Sequence, residues 1–311
     1  MGSGYVPYSI AGCLCYIWPV DFLTQDRIAE TERAEYFRIV YRVDGWRIAG
    51  FFGRPRGPGP YPGVVFNRGA NGANGALTGT EIVPLVEAGF VAAGSQYRGG
   101  PGSEGTDHVG GEDLHDVQQL FSLLGGLPYV DPERMGMMGF SRGGMMTYLC
   151  LKHETLAKEH HIRAAVTVGG VADLFQWGHD RPQIVKSVYL GHIGPHPDED
   201  PEPYRQRSAT HWPELINAPL LLLHGEADER VSVTQSRRLQ ALLQDRGKEV
   251  SLQTYPEGDH LLRRYQGGYP AALDWFGRHL GHAGEDHSYA GHLEAIREAR
   301  ARIKGALGTE A

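Results

Sequence analysis

A glycine-flanked serine is the residue best suited to chemistry in this 311-residue chain. Ser141 is at the centre of segment 139–144, which reads GFSRGG and matches the pattern G-x-S-x-G. The apolar run before it predicts a strand, and segment 144–151 after it predicts a helix. A tight strand-to-helix turn raises its central hydroxyl above a sheet, where the helix N-terminus favours negative charge. The pattern predicts a serine nucleophile; the alternative is a glycine-rich turn with an incidental serine.

A serine hydroxyl needs a base to activate it, and the base needs an acid to orient it. With the nucleophile at such a turn, the chain order is serine, then aspartate or glutamate, then histidine. Asp228 follows an apolar strand and His260 follows the next strand, so we predict them as the acid and the base. Glu226 and Asp259 are the alternative acids. Glu226 lies too close to its strand end for its side chain to swing freely, and Asp259 adjoins His260 and would need an awkward turn.

The charge that develops on an attacked carbonyl oxygen needs backbone N–H donors. One donor is expected from Arg142, the residue after the nucleophile. The other is expected from the glycine-rich loop after the strand 64–66, where Gly69 is the first choice. The alternative for this loop is a flexible turn without a catalytic role.

The rest of the chain alternates strands with helices. Segment 35–55 predicts a hairpin with Asp44-Gly45 as its turn. Continuous apolar runs such as 220–223 fit parallel strands that helices cover on both faces. The sequence therefore predicts an α/β fold with a mostly parallel, doubly wound sheet. The predicted strands cover 63–66, 90–95, 134–140, 163–168, 219–224 and 251–255, and the predicted helices cover 113–124, 143–152 and 233–243.

Two segments interrupt this alternation. Segment 176–212 is rich in proline, histidine and charge and predicts a small lid or cap insert between two core strands. The tail has the thin apolar stripe of an extra C-terminal helix that either docks on the chain or makes a homo-oligomer contact. The predicted organisation is therefore an N-terminal arm over 1–34, a catalytic domain over 35–282 with its insert, and a helical tail over 283–311.

Composition excludes several classes of function. The formal charge of −7 lacks the basic excess of a nucleic-acid surface. Segment 5–20 is apolar, but Pro7 and Pro19 interrupt it and it is shorter than the roughly 20 residues that a membrane span needs, so we predict a packed arm and neither a membrane segment nor a signal peptide. Three cysteines, Cys13, Cys15 and Cys150, form no disulfide framework and favour the cytoplasm. No ligand spacing predicts a metal, and no cofactor is expected.

Three motifs in order resemble those of a known family. Segments 139–144 (GFSRGG), 224–231 (HGEADERV) and 255–260 (YPEGDH) look like the catalytic domain of prolyl-oligopeptidase-like serine hydrolases, and the likeness runs over about 61–280. Segment 96–100 (QYRGG) is similar to the one that this family has after the next strand. The resemblance implies an α/β-hydrolase fold and hydrolysis of esters or amides. One departure is the oxyanion loop, where the family usually has HGGP and this chain has Asn67-Arg68-Gly69-Ala70.

Basic residues on the loops near Ser141 suggest a cationic rim for a substrate carboxylate. Arg68 and Arg98 belong to this rim together with Arg142, and Tyr97 lies beside them. Arg68, Tyr97 and Arg98 are therefore candidate substrate contacts. The alternative is that the arginines pair with local acids: Glu104, Asp107 or Asp113.

These features predict acyl transfer to water through an acyl-enzyme on Ser141. A carboxylesterase acting on small esters is preferred, because the upstream segment is too short for the β-propeller of larger oligopeptidases. A peptidase acting on short or N-blocked peptides is the alternative. A binding module without catalysis is the hypothesis from a different class, but such chains normally lose a triad residue, and this chain has all three.

Overall fold

One mixed sheet organises the computed structural model, which describes residues 22–281 and 288–308. Within these residues the sheet has nine strands, and their spatial order is β1-β2-β3-β5-β4-β6-β7-β8-β9. The first three strands and β5 pair antiparallel, whereas all pairs from β5 to β9 are parallel. In chain order the strands are β1 (Thr24–Glu30), β2 (Ala34–Val43), β3 (Trp46–Pro55), β4 (Tyr61–Asn67), β5 (Val91–Ser95), β6 (Val130–Phe140), β7 (Ile162–Val168), β8 (Leu220–Gly225) and β9 (Val250–Tyr255).

Both faces of the inner parallel strands are buried, whereas β9 at the edge has one face exposed. Along β8, Leu220 and Leu222 pack into one apolar cluster, while Leu221 and Leu223 pack into the other. Successive side chains of a strand point to opposite faces, so a continuous apolar run must be covered twice. This arrangement confirms the predicted α/β-hydrolase fold with a mostly parallel sheet and helices on both faces.

The two apolar clusters assign the longer helices to the two faces. One cluster takes side chains from α2, α3 and α8, and the other takes them from α1, α9 and α10. Two of these helices, α1 and α9, were absent from the sequence-based assignment. The bounds are α1 (Val83–Glu87), α2 (Leu114–Gly125), α3 (Arg142–Ala157), α8 (Val233–Gln244), α9 (Tyr269–Leu280) and α10 (Leu293–Leu307).

The N-terminal side differs in part from its prediction. The hairpin of β2 and β3 is confirmed, with Asp44 and Gly45 turning the chain at φ values of 49° and 86°. The predicted arm over 1–34 is corrected at its end, because residues 24–30 form β1 and pair antiparallel with β2. Most residues of β1 are polar and exposed, and none is fully buried, as on an edge strand. The proposed packed arm over 5–20, with Cys13 and Cys15, lies outside the described residues.

Short helices fill the chain between β7 and β8, where the sequence analysis predicted the insert over 176–212. They are α4 (Leu174–Asp180), α5 (Pro182–Ile184), α6 (Leu190–His192) and α7 (Glu202–Arg207), with a π-helix over Val185–Tyr189 and 3₁₀ turns over Ala209–His211 and Pro213–Leu215. The rings of Tyr189 and Tyr204 pack with their centroids 4.9 Å apart. Both tyrosines belong to the main apolar cluster, so the insert packs onto the domain through aromatic side chains.

Helix α10 docks on the chain itself. Its Ile296, Ala299 and Ile303 are buried, and it packs against α1 and β1. The Nε of Arg300 donates a hydrogen bond to the carbonyl of Thr80. Of the two roles predicted for the tail, the structure has the docked helix over 293–307.

Two further observations concern compartment and membrane. Cys150 is buried with a free thiol, and its burial raises the pKa of that thiol well above the ordinary value. Among the described helices, none combines the length and the apolar composition that crossing a bilayer requires.

Candidate active site

Ser141 occupies a strained turn between β6 and α3. Its φ is 55°, in the left-handed region that few non-glycine residues adopt, and its N–H donates to the carbonyl of Val168. A Cβ added at Gly139 would overlap the carbonyl oxygen of Gly143, and one added at Gly143 would overlap that of Asn67. The flanking glycines therefore leave space that the backbone of the turn and of the neighbouring loop requires.

Asp228 and His260 form a hydrogen-bonded pair beside this turn. His260 Nδ1 lies 2.7 Å from Asp228 Oδ2, while Asp228 Oδ1 accepts the N–H groups of Arg230 and Val231. His224 Nε2 is 3.3 Å from the same Oδ2. Burial by itself would raise the pKa of the Asp228 carboxyl, but hydrogen bonding to His224 and His260 outweighs burial and holds this pKa well below its ordinary value. The acid is therefore ionised at neutral pH and can orient an imidazole.

Ser141 and His260 face the same space. Both line the same two cavities, of about 160 and 710 Å³. A Cβ added at Gly169 would lie within 3.2 Å of His260 Nδ1 and Asp228 Oδ2, so the backbone at Gly169 packs closely against this pair. Among the described residues, the Ser141 hydroxyl makes no hydrogen bond to the imidazole. Such contacts commonly tighten only when substrate binds.

The rival acids are engaged elsewhere. Glu226 pairs with Arg237 at 2.8 Å, and Asp259 pairs with Arg263 at 2.6 Å. Both pairs are well exposed to solvent. The geometry therefore favours Asp228 as the partner of His260, because both rivals pair with arginines and Asp228 contacts the imidazole.

The loop after β4 carries Gly69 directly against the serine. A Cβ added at Gly69 would lie 3.1 Å from Ser141 Cβ and 3.2 Å from the carbonyl oxygen of Phe140. The next residue, Ala70, has a φ of 54° and lines both cavities. The loop is therefore close enough to donate an N–H to an oxygen held at Ser141, as predicted for Gly69.

Gly69→Ala is expected to lower kcat by about 10- to 100-fold, because the added methyl group pushes the loop away from Ser141 and small misplacements cost this much. Steady-state kinetics on an activated ester measures the effect. Gly305→Ala is the matched control, since a Cβ at Gly305 meets no atom within 4 Å. Equal activity of the two variants would show that the loop accommodates the methyl group and would contradict the expected displacement.

The side chain of Arg142 joins the turn to the oxyanion loop. Its guanidinium pairs with Asp107 at 2.7 Å and with Asp113 at 2.5 Å, and it donates to the carbonyl of Ala70 at 2.8 Å. Asp107 also accepts the N–H of Gly72. Burial favours the neutral carboxyl of Asp107, but Arg142 outweighs this and lowers its pKa. The ion pairs therefore fix the loop relative to Ser141, whose neighbour Arg142 offers its own N–H.

The predicted cationic rim is corrected. Arg98 is buried and pairs with Asp116 at 2.8 Å, and neither Arg98 nor Tyr97 lines either cavity. The guanidinium groups of Arg68 and Arg142 instead lie over the Tyr97 ring, 5.2 and 4.9 Å from its centroid. Arg68 borders the larger cavity, but its guanidinium donates to loop carbonyls, those of Asn74 and Gly72 among them. These side chains hold the site together and are not free to bind a substrate carboxylate.

Two cavities meet at the serine. The smaller, of about 160 Å³, lies under the insert and is mostly apolar, with Leu174, Trp177 and Val188 in its wall. The larger, of about 710 Å³, lies towards the oxyanion loop and α10, with Arg300 in its wall. The sequence analysis missed Trp177 and Arg300, because no motif marks them and only the fold brings them to Ser141. Five residues line both cavities: Ala70, Asn71, Ser141, Arg230 and His260.

One group among the described residues has spacing compatible with a metal ion. Ligand atoms of Glu154, Glu159 and His161 lie within 4.8 Å of one another. Two of the three are exposed, and the groove that Glu154 and Glu159 line contains no member of the Ser141 site. Exposed acidic groups of this kind are common without a metal, so the group carries no argument about catalysis.

Comparison with known proteins identifies the family. The prolyl oligopeptidase family profile matches residues 77–283. The uncharacterized peptidase YtmA of Bacillus subtilis is 32% identical over 230 residues, covering 74% of this chain and 88% of that protein. The uncharacterized peptidase YuxL of the same organism is 28% identical over 282 residues, covering 83% of this chain but only 40% of its own length.

The fold also has solved counterparts. An acylaminoacyl peptidase in complex with Z-Gly-Gly-Phe-chloromethyl ketone superposes with a TM-score of 0.70 at 24% identity, covering 84% of this chain and 44% of that one. The chain thus spans less than half of that protein, and at this identity the likeness shows the fold alone. With the family profile and YtmA, the comparisons establish that this chain belongs to the prolyl oligopeptidase family and is a serine hydrolase of the prolyl-oligopeptidase-like peptidase type.

Proposed function

We propose that this chain is a serine peptidase that cleaves short or N-blocked peptides. The observation that carries the proposal is the pair of cavities that meet at Ser141 and His260. A scissile peptide needs space on both sides of its carbonyl, and the two cavities supply about 160 and 710 Å³. The sequence alone favoured small esters; the peptidase relatives support the alternative instead.

Each residue of the site has a role in this proposal. The Ser141 oxygen attacks the carbonyl carbon while His260 Nε2 takes its proton, and Asp228 holds the imidazole with its Nδ1 proton towards the carboxylate. The N–H groups of Arg142 and Gly69 stabilise the negative oxygen of the tetrahedral intermediate. His260 then protonates the leaving amine and the C–N bond breaks. A water molecule, deprotonated by His260, hydrolyses the acyl-enzyme and restores Ser141.

The insert supports a small substrate. Leu174, Trp177 and Val188 form an apolar wall over the smaller cavity, and Trp177 Nε1 donates to the carbonyl of Arg230 at 2.8 Å, next to the catalytic acid. This hydrogen bond links the insert to the loop after β8. The acyl residue that precedes the scissile bond is accordingly proposed to be apolar and of moderate size, such as leucine.

We expect the purified protein to cleave N-acetyl-leucyl peptides and N-acetyl-leucyl p-nitroanilide. Measuring kcat/KM for the anilide, for free leucyl p-nitroanilide and for p-nitrophenyl acetate separates the possible activities. Cleavage of the amides supports a peptidase. Turnover of p-nitrophenyl acetate without cleavage of any amide would contradict the proposal and return the assignment to an esterase.

A further inference from the structure

The C-terminal helix adds a basic side chain to the catalytic cavity. Arg300 on α10 lines the cavity of about 710 Å³ that also contains Ser141 and His260. The family profile ends at residue 283, so α10 lies outside the matched domain. Arg300 therefore reaches the cavity from a helix outside the matched range.

The helix holds Arg300 in place without neutralising it. Ile296, Ala299 and Ile303 anchor α10 in the core, and Arg300 Nε donates to the Thr80 carbonyl at 3.2 Å. Among the described residues, no carboxylate lies within ion-pair distance of its guanidinium. By contrast, Arg302 on the same helix pairs with Glu298 at 2.7 Å. The terminal nitrogens of Arg300 are thus available to a ligand.

The charge of the cavity wall is positive overall. Arg230 lines both cavities, and no ion pair engages its guanidinium in the part of the chain that the structure describes. Arg68 adds a further positive charge from the wall. Glu81 is the one carboxylate among the residues that line this cavity, and it accepts hydrogen bonds from the N–H and hydroxyl of Thr78, both at 3.1 Å. The wall therefore attracts an anion more than a cation.

We propose that Arg300 binds the C-terminal carboxylate of the peptide, on the leaving-group side of the scissile bond. The apolar cavity under the insert takes the acyl residue, and the larger cavity takes the one or two residues that leave as a free amine. A guanidinium matches a carboxylate with two parallel hydrogen bonds. The inference rests on the proposed peptidase function. Contact between Arg300 and the carboxylate makes the enzyme selective for peptides that end one or two residues after the cleaved bond.

The test compares matched peptides that differ only at the C-terminus. N-acetyl-Leu-Ala and N-acetyl-Leu-Ala-Ala are each prepared as the free acid and as the carboxamide, and cleavage after leucine is followed by chromatography. For at least one length, kcat/KM is expected to be about tenfold higher for the acid, the ratio that a charge-assisted hydrogen bond supports. Arg300→Gln is expected to reduce the ratio to about one, and Arg300→Lys to retain part of it.

Arg302→Gln is the matched control, since it removes a charge from the same helix at a position outside the cavity, and it is expected to keep the wild-type ratio. N-acetyl-leucine p-nitrophenyl ester, whose leaving group carries no carboxylate, reports the acyl-transfer chemistry separately. If wild-type protein cleaves neither this ester nor any peptide, the proposed function fails. If it cleaves the peptides with equal kcat/KM for acid and amide, or if Arg300→Gln keeps the preference, only the role of Arg300 is overturned.

Discussion

Replacing Ser141 with alanine is expected to lower kcat by about 10⁶-fold, because no other group can form the acyl-enzyme and only the oxyanion donors remain. The fold is expected to survive. Alanine keeps the Cβ that the turn already accommodates at a φ of 55°, and the lost hydroxyl faces a cavity. The measurements are kcat on N-acetyl-leucyl p-nitroanilide and the midpoint of thermal unfolding.

A fluorophosphonate probe gives an independent result for the same variant. The probe reacts only with an activated serine, so wild-type protein is expected to be labelled and Ser141→Ala is not. Ser122→Ala on the exposed face of α2 is the matched control and is expected to be labelled like the wild type. Labelling or turnover that persists in Ser141→Ala would show that another residue is the nucleophile.

The position of Ser141 was predictable from sequence because the turn that exposes it is local. Gly139 and Gly143 are required by contacts with the backbone of the turn itself and of the neighbouring loop, and this requirement is visible as a pattern of five residues. The order of Asp228 and His260 was predictable because each follows a predicted strand, the strongly apolar β8 in one case and the alternating β9 in the other. The fold followed from the inner strands, whose continuous apolar runs indicate burial on both faces.

The roles of the arginines were not predictable, because their partners are set by tertiary structure. Arg98 finds Asp116 on α2, and Arg142 finds Asp107 and Asp113 in the loop before that helix. The sequence analysis placed Arg68, Arg98 and Arg142 on loops near the site. It also named Asp107 and Asp113 as alternative partners for them. An unpaired buried charge costs several kcal/mol, so burial of Arg98 and Arg142 forces them to pair with acids. The sequence could not show that they would be buried.

Two of the missed elements, β1 and α9, differ in the signals that the sequence carries for them. The edge strand β1 is mostly polar, so it lacks the apolar run by which the inner strands were recognised. Helix α9 did carry signals, since Pro270 follows its first residue and Leu273 and Phe276 are spaced to lie on one face. Arg300 had no signal at all, because only the docking of α10 brings it to the cavity.

Asp228→Asn is expected to lower kcat by about 10³- to 10⁴-fold with little change in KM, because it reverses the hydrogen bond to the imidazole. Two backbone N–H groups, those of Arg230 and Val231, point at Oδ1. In the variant the amide oxygen remains on that side, so the NH₂ group faces His260. Nδ1 must then accept, the ring proton moves to Nε2, and His260 can no longer take the proton of Ser141. Kinetics on the anilide measures the loss.

The same carboxylate also makes folding stability depend on pH. Its pKa is lower in the folded protein than the ordinary value of about 3.9 expected for the unfolded chain. The stabilisation is therefore complete above the unfolded pKa and is lost as pH falls through the folded one. Denaturant unfolding is expected to show a free-energy difference between wild type and Asp228→Asn that shrinks as pH falls below about 4. A difference that grows on acidification would contradict this assignment.

The two acids that competed with Asp228 in the sequence supply its controls. Asp259→Asn removes the partner of Arg263, and Glu226→Gln removes the partner of Arg237, both in exposed pairs that contribute at most about 1 kcal/mol. Asp259→Asn removes a negative charge next to His260 in the sequence, and Glu226→Gln removes one two residues from Asp228. A general effect of lost negative charge would therefore appear in these two variants as well as in Asp228→Asn. We expect activity within about twofold of wild type for these two, because neither carboxylate orients the imidazole. A large loss in Asp259→Asn together with an active Asp228→Asn would transfer the role to the neighbouring acid.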